Sequence, residues 1–374
     1  MIIKNANIYR EDNRFEKGHI YINGEYFSDE LNSSNDVIID ANNYYAIPGL
    51  IDIHFHGCVG YDFCDGTHEA IAAISNYQAK NGITTIIPAT MTLDEKRLLD
   101  ISYNAASYKN ECGAELVGIY MEGPFISYEK KGAQNELYIQ RPNVNLYNRL
   151  QEASNGLFKV VAVAPEVEGA MEFIELVKDE IIVSIAHSSA DYETARIAMQ
   201  NGAKQITHMY NAMPAFNHRS PSIIGAAFDN EECMVEMICD GVHIHPSVIR
   251  ATFKMFGDDR IILVSDSMMA TGMDDGIYEL GGQKVKVENK KATLLESDTI
   301  AGSSSNLMDC IKYLVKNVNI PLSTAIKCAT KNPARAIGIY DKYGSIESNK
   351  YANLVLLDED LNVVKVIIKG KIFQ

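Results

Sequence analysis

Residues 48–57 read PGLIDIHFHG, and how this stretch is read decides the fold. Ile51 to Ile53 has strand character and runs straight into His54 and His56. Side chains alternate faces along a strand, so two histidines at i and i+2 point the same way. Two imidazoles on one face at a strand end can grip one metal ion. Downstream the texture repeats, with strand-like runs at 84–88, 116–121, 159–164, 181–186, 205–208, 235–239 and 261–264. Most are followed by amphipathic helical patterns, as at 69–80, 93–108, 170–178, 192–200 and 246–256. Several of these patterns end at Gly, as in Asn81-Gly82 and Asn201-Gly202. Eight alternations over roughly 290 residues predict an α/β protein, a (β/α)8 TIM barrel rather than an open sheet.

The flanks read differently. Residues 1–46 consist of short alternating segments with turn signals, such as 19–22 before Asn23-Gly24 and 37–39 before Asp40. Past the eighth strand, 276–293 reads as hairpins ahead of a last helix at 307–317. From Gly344 short strands return, including 353–357 and 363–368. The simplest arrangement pairs the two flanks. It predicts a small β-sandwich domain from 1–46 and 344–374, beside a barrel of residues 47–343.

Composition narrows the function. A chain of 374 residues that is 47% hydrophobic can bury a sizeable core. The formal net charge of −15 argues against a nucleic-acid surface, which needs clustered Lys and Arg. No apolar stretch reaches the ~18–20 residues of a membrane helix. The opening MIIKNANIYRED lacks a signal-peptide pattern. Seven scattered cysteines with no Cys-x-x-Cys pair suit a reducing cytosol. The expectation is a cytoplasmic protein with a small-molecule partner, binding neither nucleic acid nor membrane.

A barrel carries its chemistry at the C-terminal ends of its strands. There the chain places His54 and His56 after strand one, Glu122 (MEGPF) after strand three and His187 (IAHSS) after strand five. His208 (THMYNAM) follows strand six, Asp240 and His243 (CDGVH) strand seven, and Asp266 (VSDS) strand eight. One such residue is ordinarily a satisfied polar group or a helix cap. Six strands ending this way point instead to a shared site. Imidazole and carboxylate without thiolate suit Zn, Fe(II), Mn or Co in a hydrolytic centre. Such an ion brings the pKa of its water toward ~7. A carboxylate such as Asp266 beside it can take a proton and return it.

HFHG after PGLID resembles the amidohydrolase superfamily. The combination of MEGPF, AHSSA, THMYNAM, DGVH and AGSSSNL is similar to its N-acetylglucosamine-6-phosphate deacetylase family, over essentially the whole chain. The resemblance implies metal-dependent hydrolysis of the acetamide of N-acetylglucosamine 6-phosphate. The galactosamine isomer or another amide is the nearest alternative, and a non-catalytic sugar-phosphate-binding barrel a more distant one. Residue by residue, it implies metal ligands at Glu122, His187 and His208. It implies a second position at His54 and His56, with Glu122 between, hence one or two divalent ions (Zn, Fe or Mn). Asp266 matches the general base and acid, and His243 the residue that helps polarise the acetyl carbonyl. Ala133, Gln134, Asn211, Ala212, His243, Ile300, Ala301 and Gly302 match substrate-contacting positions. Arg219 (NHRSP) matches an arginine that reaches the phosphate across a homodimer interface. The family usually has His where KKGAQN carries Gln134. Gln can hydrogen-bond but cannot carry a proton or a charge, which bears on rate or sugar preference rather than on the metal site. His19 and His68 read as surface residues, and Cys58 and Cys64 as small buried or loop residues.

Overall fold

The computed structural model describes residues 1–30 and 37–374. Residues 31–36, part of the expected N-terminal β unit, lie outside the described residues. The barrel strands are Leu50–Asp52, Ile83–Ile86 continued by Ala89–Thr90, Glu115–Leu116 continued by Ile119–Met121, and Phe158–Val163. Ile182–Ile185, Ala203–Ile206, Met234–Ile238 and Ile261–Val264 complete them. Each is parallel to its neighbour. The ring closes where the eighth strand meets the first. Asp266 N donates to His54 O at 2.9 Å, and Ser265 Oγ donates to Asp52 Oδ2 at 2.5 Å.

The second and third strands, expected to be continuous, are each broken. Pro88 has no N–H to give a ladder, so the second strand pairs with Glu115–Leu116 before the break and with Ile119–Met121 after it. Away from the register shifts at Leu50/Ile51, Ile119/Tyr120 and Val183/Ser184, side chains alternate between the two faces. Val160 and Ala162 face the barrel interior with Ile51, Tyr120, Ile262 and Val264, while Val161 and Val163 face the helices. Burial on both faces is why these strands read as nearly continuous apolar runs. Each wholly buried Val or Ile contributes about 1.5–3 kcal/mol.

The helices begin at side-chain caps. Thr67 accepts from Ala70 N, Asp94 from Arg97 N and Asp191 from Thr194 N. The resulting helices His68–Lys80, Glu95–Ser107 and Tyr192–Asn201 match the expected periodicity within two residues. Leu307–Tyr313 passes into a single π segment, Leu314–Val318, and is not the last helix. Leu322–Ala329 and Lys331–Ala336 follow, separated by Thr330 at φ −136°, ψ −75°. Each is too short for an apolar stripe to declare itself in the sequence.

Gly276–Leu280, Gln283–Glu288 and Lys291–Leu294 form a three-stranded antiparallel sheet, and Leu280 reaches the barrel mouth. The flanking strands share one sheet of their own. Tyr45–Pro48 runs parallel to Ile2–Tyr9 on one side and antiparallel to Leu354–Leu357 on the other. It leads into the first barrel strand through Gly49, where any Cβ would lie 2.0 Å from Thr84 Oγ1. Among the described residues no helix is long and apolar enough to cross a membrane.

Candidate metal centre

The strand-end residues converge at the C-terminal mouth of the barrel. Glu122 lies at the centre, with its Oε1 3.2 Å from the Nε2 of both His187 and His208 and 3.3 Å from His54 Nε2. Its Oε2 lies 3.2 Å from His56 Nε2, which is also 3.2 Å from Asp266 Oδ1. The donors form two groups, His54 with His56 and Asp266, and Glu122 with His187 and His208. All six side chains are buried. Turning them inward takes unusual backbone. His187, His208 and Asp266 have φ of +42°, +29° and +49°, conformations that non-glycine residues rarely adopt. Behind Glu122 the chain has Gly123 at φ +87°, where a Cβ would meet Thr92 Oγ1 at 2.0 Å.

Hydrogen bonds fix which ring nitrogens face the centre. His187 Nδ1 lies 2.8 Å from the carbonyl of Lys130, which can only accept, so Nδ1 carries the proton and Nε2 keeps a lone pair. That lone pair faces His208 Nε2 and Glu122 Oε1, each 3.2 Å away. His54 Nδ1 likewise donates to Glu236 Oε2 at 2.8 Å, leaving its Nε2 buried without a hydrogen-bond partner, as Asp266 Oδ1 also is. Acceptor atoms turned toward one another in a buried site call for a cation among them. The nitrogen and oxygen donors fit a divalent metal ion.

The charges behave accordingly. Burial opposes ionisation of Glu122, but positive charge at His54, His187 and His208 holds its carboxyl well below the usual range, a charge that a bound cation would supply with the imidazoles neutral. Burial likewise raises Asp266, yet His56 and His54 bring it below an ordinary aspartate. For His243, burial pushes the imidazole down, while Asp240, with Oδ2 2.8 Å from Nδ1, lifts it above its ordinary value.

A cavity of about 500 Å³ opens onto these groups. His56, Glu122, His187, His208, His243 and Asp266 line it, with Ala133, Gln134, Asn211, Ala212, Ile300 and Gly302 from the expected substrate positions. His54 and Ala301 are fully buried. Gln134 is held at both ends of its amide. Its Oε1 accepts from Thr92 N at 2.7 Å, and its Nε2 donates to Glu122 Oε2 at 2.9 Å. Arg219 sits on an exposed loop apart from the cavity of its own chain, with Nη1 2.6 Å from His218 Nε2. Sequence reasoning missed Glu236. Its signal was a lone carboxylate inside the apolar run MVEMI, which is costly to bury unless it is fully bonded.

The profile of the Amidohydrolase family matches residues 45–373. An N-acetylglucosamine-6-phosphate deacetylase of Bacillus subtilis is 34% identical, the match covering 100% of this chain and 96% of the relative. An N-acetylgalactosamine-6-phosphate deacetylase of Escherichia coli O157:H7 is 30% identical over 87% of this chain and 86% of the relative. Among solved structures, the N-acetyl-D-glucosamine-6-phosphate deacetylase of Mycobacterium smegmatis, as an Asp-to-Ala mutant in complex with N-acetyl-D-glucosamine-6-phosphate, superposes with a TM-score of 0.91. It is 28% identical, and the match covers 100% of this chain and 99% of that one. On the profile match, the whole-length likeness and the barrel-mouth geometry together, the chain belongs to the amidohydrolase family.

Proposed function

We propose that this protein hydrolyses the acetamide of N-acetylglucosamine 6-phosphate, giving glucosamine 6-phosphate and acetate. The observation that carries this is the pair of buried three-donor groups facing one cavity, in a chain similar along its whole length to deacetylases of that sugar phosphate. Glu122, His187 and His208 would hold one divalent ion, and His54 and His56 a second, with Zn, Fe or Mn all compatible with the donors. Such an ion acts as a Lewis acid on the acetyl oxygen and acidifies a water molecule.

The protein's own groups do the rest. Asp266, ionised and at the cavity wall, takes the proton of the attacking water and returns it to the leaving amine as the C–N bond breaks. His243, oriented by Asp240, donates toward the acetyl oxygen as charge builds there. Asn211 and Ala212, joined by Arg219 of a second copy, hold the phosphate, and Ala133, Gln134, Ile300, Ala301 and Gly302 bound the sugar. Arg219 is exposed and absent from the lining of its own cavity, which supports a homodimer in which its planar, charged fork serves the neighbouring site. Seven free cysteines support a cytoplasmic location. The flanking sheet supports a separate domain of residues 1–46 and 344–374, beside a barrel of residues 47–343.

The test is acetate release from N-acetylglucosamine 6-phosphate, its galactosamine isomer and unphosphorylated N-acetylglucosamine, side by side on metal-analysed protein. Faster release from the glucosamine phosphate is expected. Preference for the galactosamine isomer would favour the second reading, which the E. coli relative keeps in view. Binding of the sugar phosphate without acetate release would sink the enzymatic reading.

A further inference from the structure

Glu236 stands in the middle of the seventh strand, wholly buried. Val235 and Met237 on either side pack toward the helices, so the carboxylate points into the barrel. Both of its oxygens are bonded. Oε2 accepts from His54 Nδ1 at 2.8 Å and from the backbone N–H of His208 at 3.2 Å, and Oε1 accepts from Gln205 Nε2 at 2.6 Å. One side chain therefore touches a member of each donor group, the ring of His54 and the main chain of His208. A carboxylate can only accept, so His54 keeps its proton on Nδ1 and turns Nε2 toward Glu122. His54 is also stacked on Tyr120, with ring centroids 4.5 Å apart, so its ring has one plane as well as one tautomer. At His208 the bond meets a residue with φ +29° and offsets part of the cost of that conformation.

We propose that Glu236 is a positioning residue that sets the tautomer of His54 and the spacing of the two donor groups. It touches neither substrate nor ion and acts through His54 and His208. The inference rests on the metal-centre reading above.

The test is zinc affinity and stoichiometry by chelator competition, without substrate, for the wild type, Glu236→Gln, His54→Gln and the double variant. Ligand-orienting partners change metal affinity by about 10–100-fold, and a loss of that size is expected for E236Q. In the H54Q background only the contact to the His208 N–H remains, so the same change should cost clearly less than it does in the wild type. Unchanged affinity in E236Q, or an equal loss with and without His54, overturns the inference. A wild type that binds no zinc overturns the metal-centre reading along with it, whereas zinc-binding wild type with unaffected E236Q overturns this inference alone. Should E236Q not fold, ¹⁵N-histidine spectra of the zinc-loaded wild type decide. A protonated Nδ1 and a metal-bound Nε2 on His54 support the role, and the reverse assignment refutes it.

Discussion

Replacing Asp266 by Asn separates proton transfer from metal binding. The change nearly preserves shape and removes the charge from an oxygen that lies 3.2 Å from His56 Nε2 and 3.9 Å from His54 Nε2. Burial would keep this carboxyl protonated, but the two imidazoles outweigh it and hold it below 3.8, so the wild-type residue is a base throughout the neutral range. With a cation bound, the imidazoles would be neutral ligands and the cation would take over their part in keeping Asp266 ionised. General acid–base catalysis is worth roughly 10²–10⁴-fold, and in the proposed reaction one carboxyl serves both as base toward water and as acid toward the amine, which places the expected loss in the upper part of that range. At 1.36 kcal/mol per decade, a loss of 10³–10⁴ in kcat is about 4–5.5 kcal/mol of barrier. Glu122, His187 and His208 are untouched, so at least one ion per chain should remain. The assay is steady-state acetate release at saturating substrate, with metal content measured on the same sample. A D266N protein with full metal and kcat within about tenfold of wild type would refute the assigned role, because no proton shuttle worth its name contributes so little.

The other predictions concern His243 and the second copy of the chain. Asp240 lifts His243, so protonated His243 persists above the ordinary 6.5 and is lost as pH rises through the raised value. Asp240→Asn removes that support, and the alkaline limb of the kcat/KM profile should move to lower pH; an unmoved limb argues that His243 acts as a neutral imidazole. If Arg219 crosses to a neighbouring site, mixing inactive D266N with crippled R219A chains should restore about a quarter of wild-type activity, since half of the dimers are mixed and each has one intact site. No recovery after verified subunit exchange would place Arg219 outside the active site.

Much of this architecture was legible in one sequence because barrel strands announce themselves twice, by doubly buried apolar runs and by the polar residues at their ends. His54, His56, Glu122, His187, His208 and Asp266 could be picked out because each follows such a run. Glu236, Gln205 and Ser184 could not be found by that rule, since they sit inside the runs and fill the barrel interior rather than its rim. The left-handed backbone of His187, His208 and Asp266 left no trace either, because nothing in residue type marks strain imposed by tertiary contacts. The helix Ser222–Asp229 went unseen for another reason. It is apolar on nearly every side, so it has no polar face to set its period against.

The flanking sheet imposes an order of events on the newborn chain. Leu354 pairs with Pro48, and Asn353 O accepts from Gly49 N at 2.8 Å, joining positions roughly three hundred residues apart. The lead-in to His54 and His56 thus lacks one of its two neighbours until nearly the whole barrel has been synthesised. A ribosome-bound chain can assemble local β/α units early, while the alignment of its first strand waits for a late partner. On the proposed function, metal capture at the His54 and His56 position would then be a late step of maturation, and a chain stalled before Leu354 should expose an unpaired edge at Tyr45–Pro48.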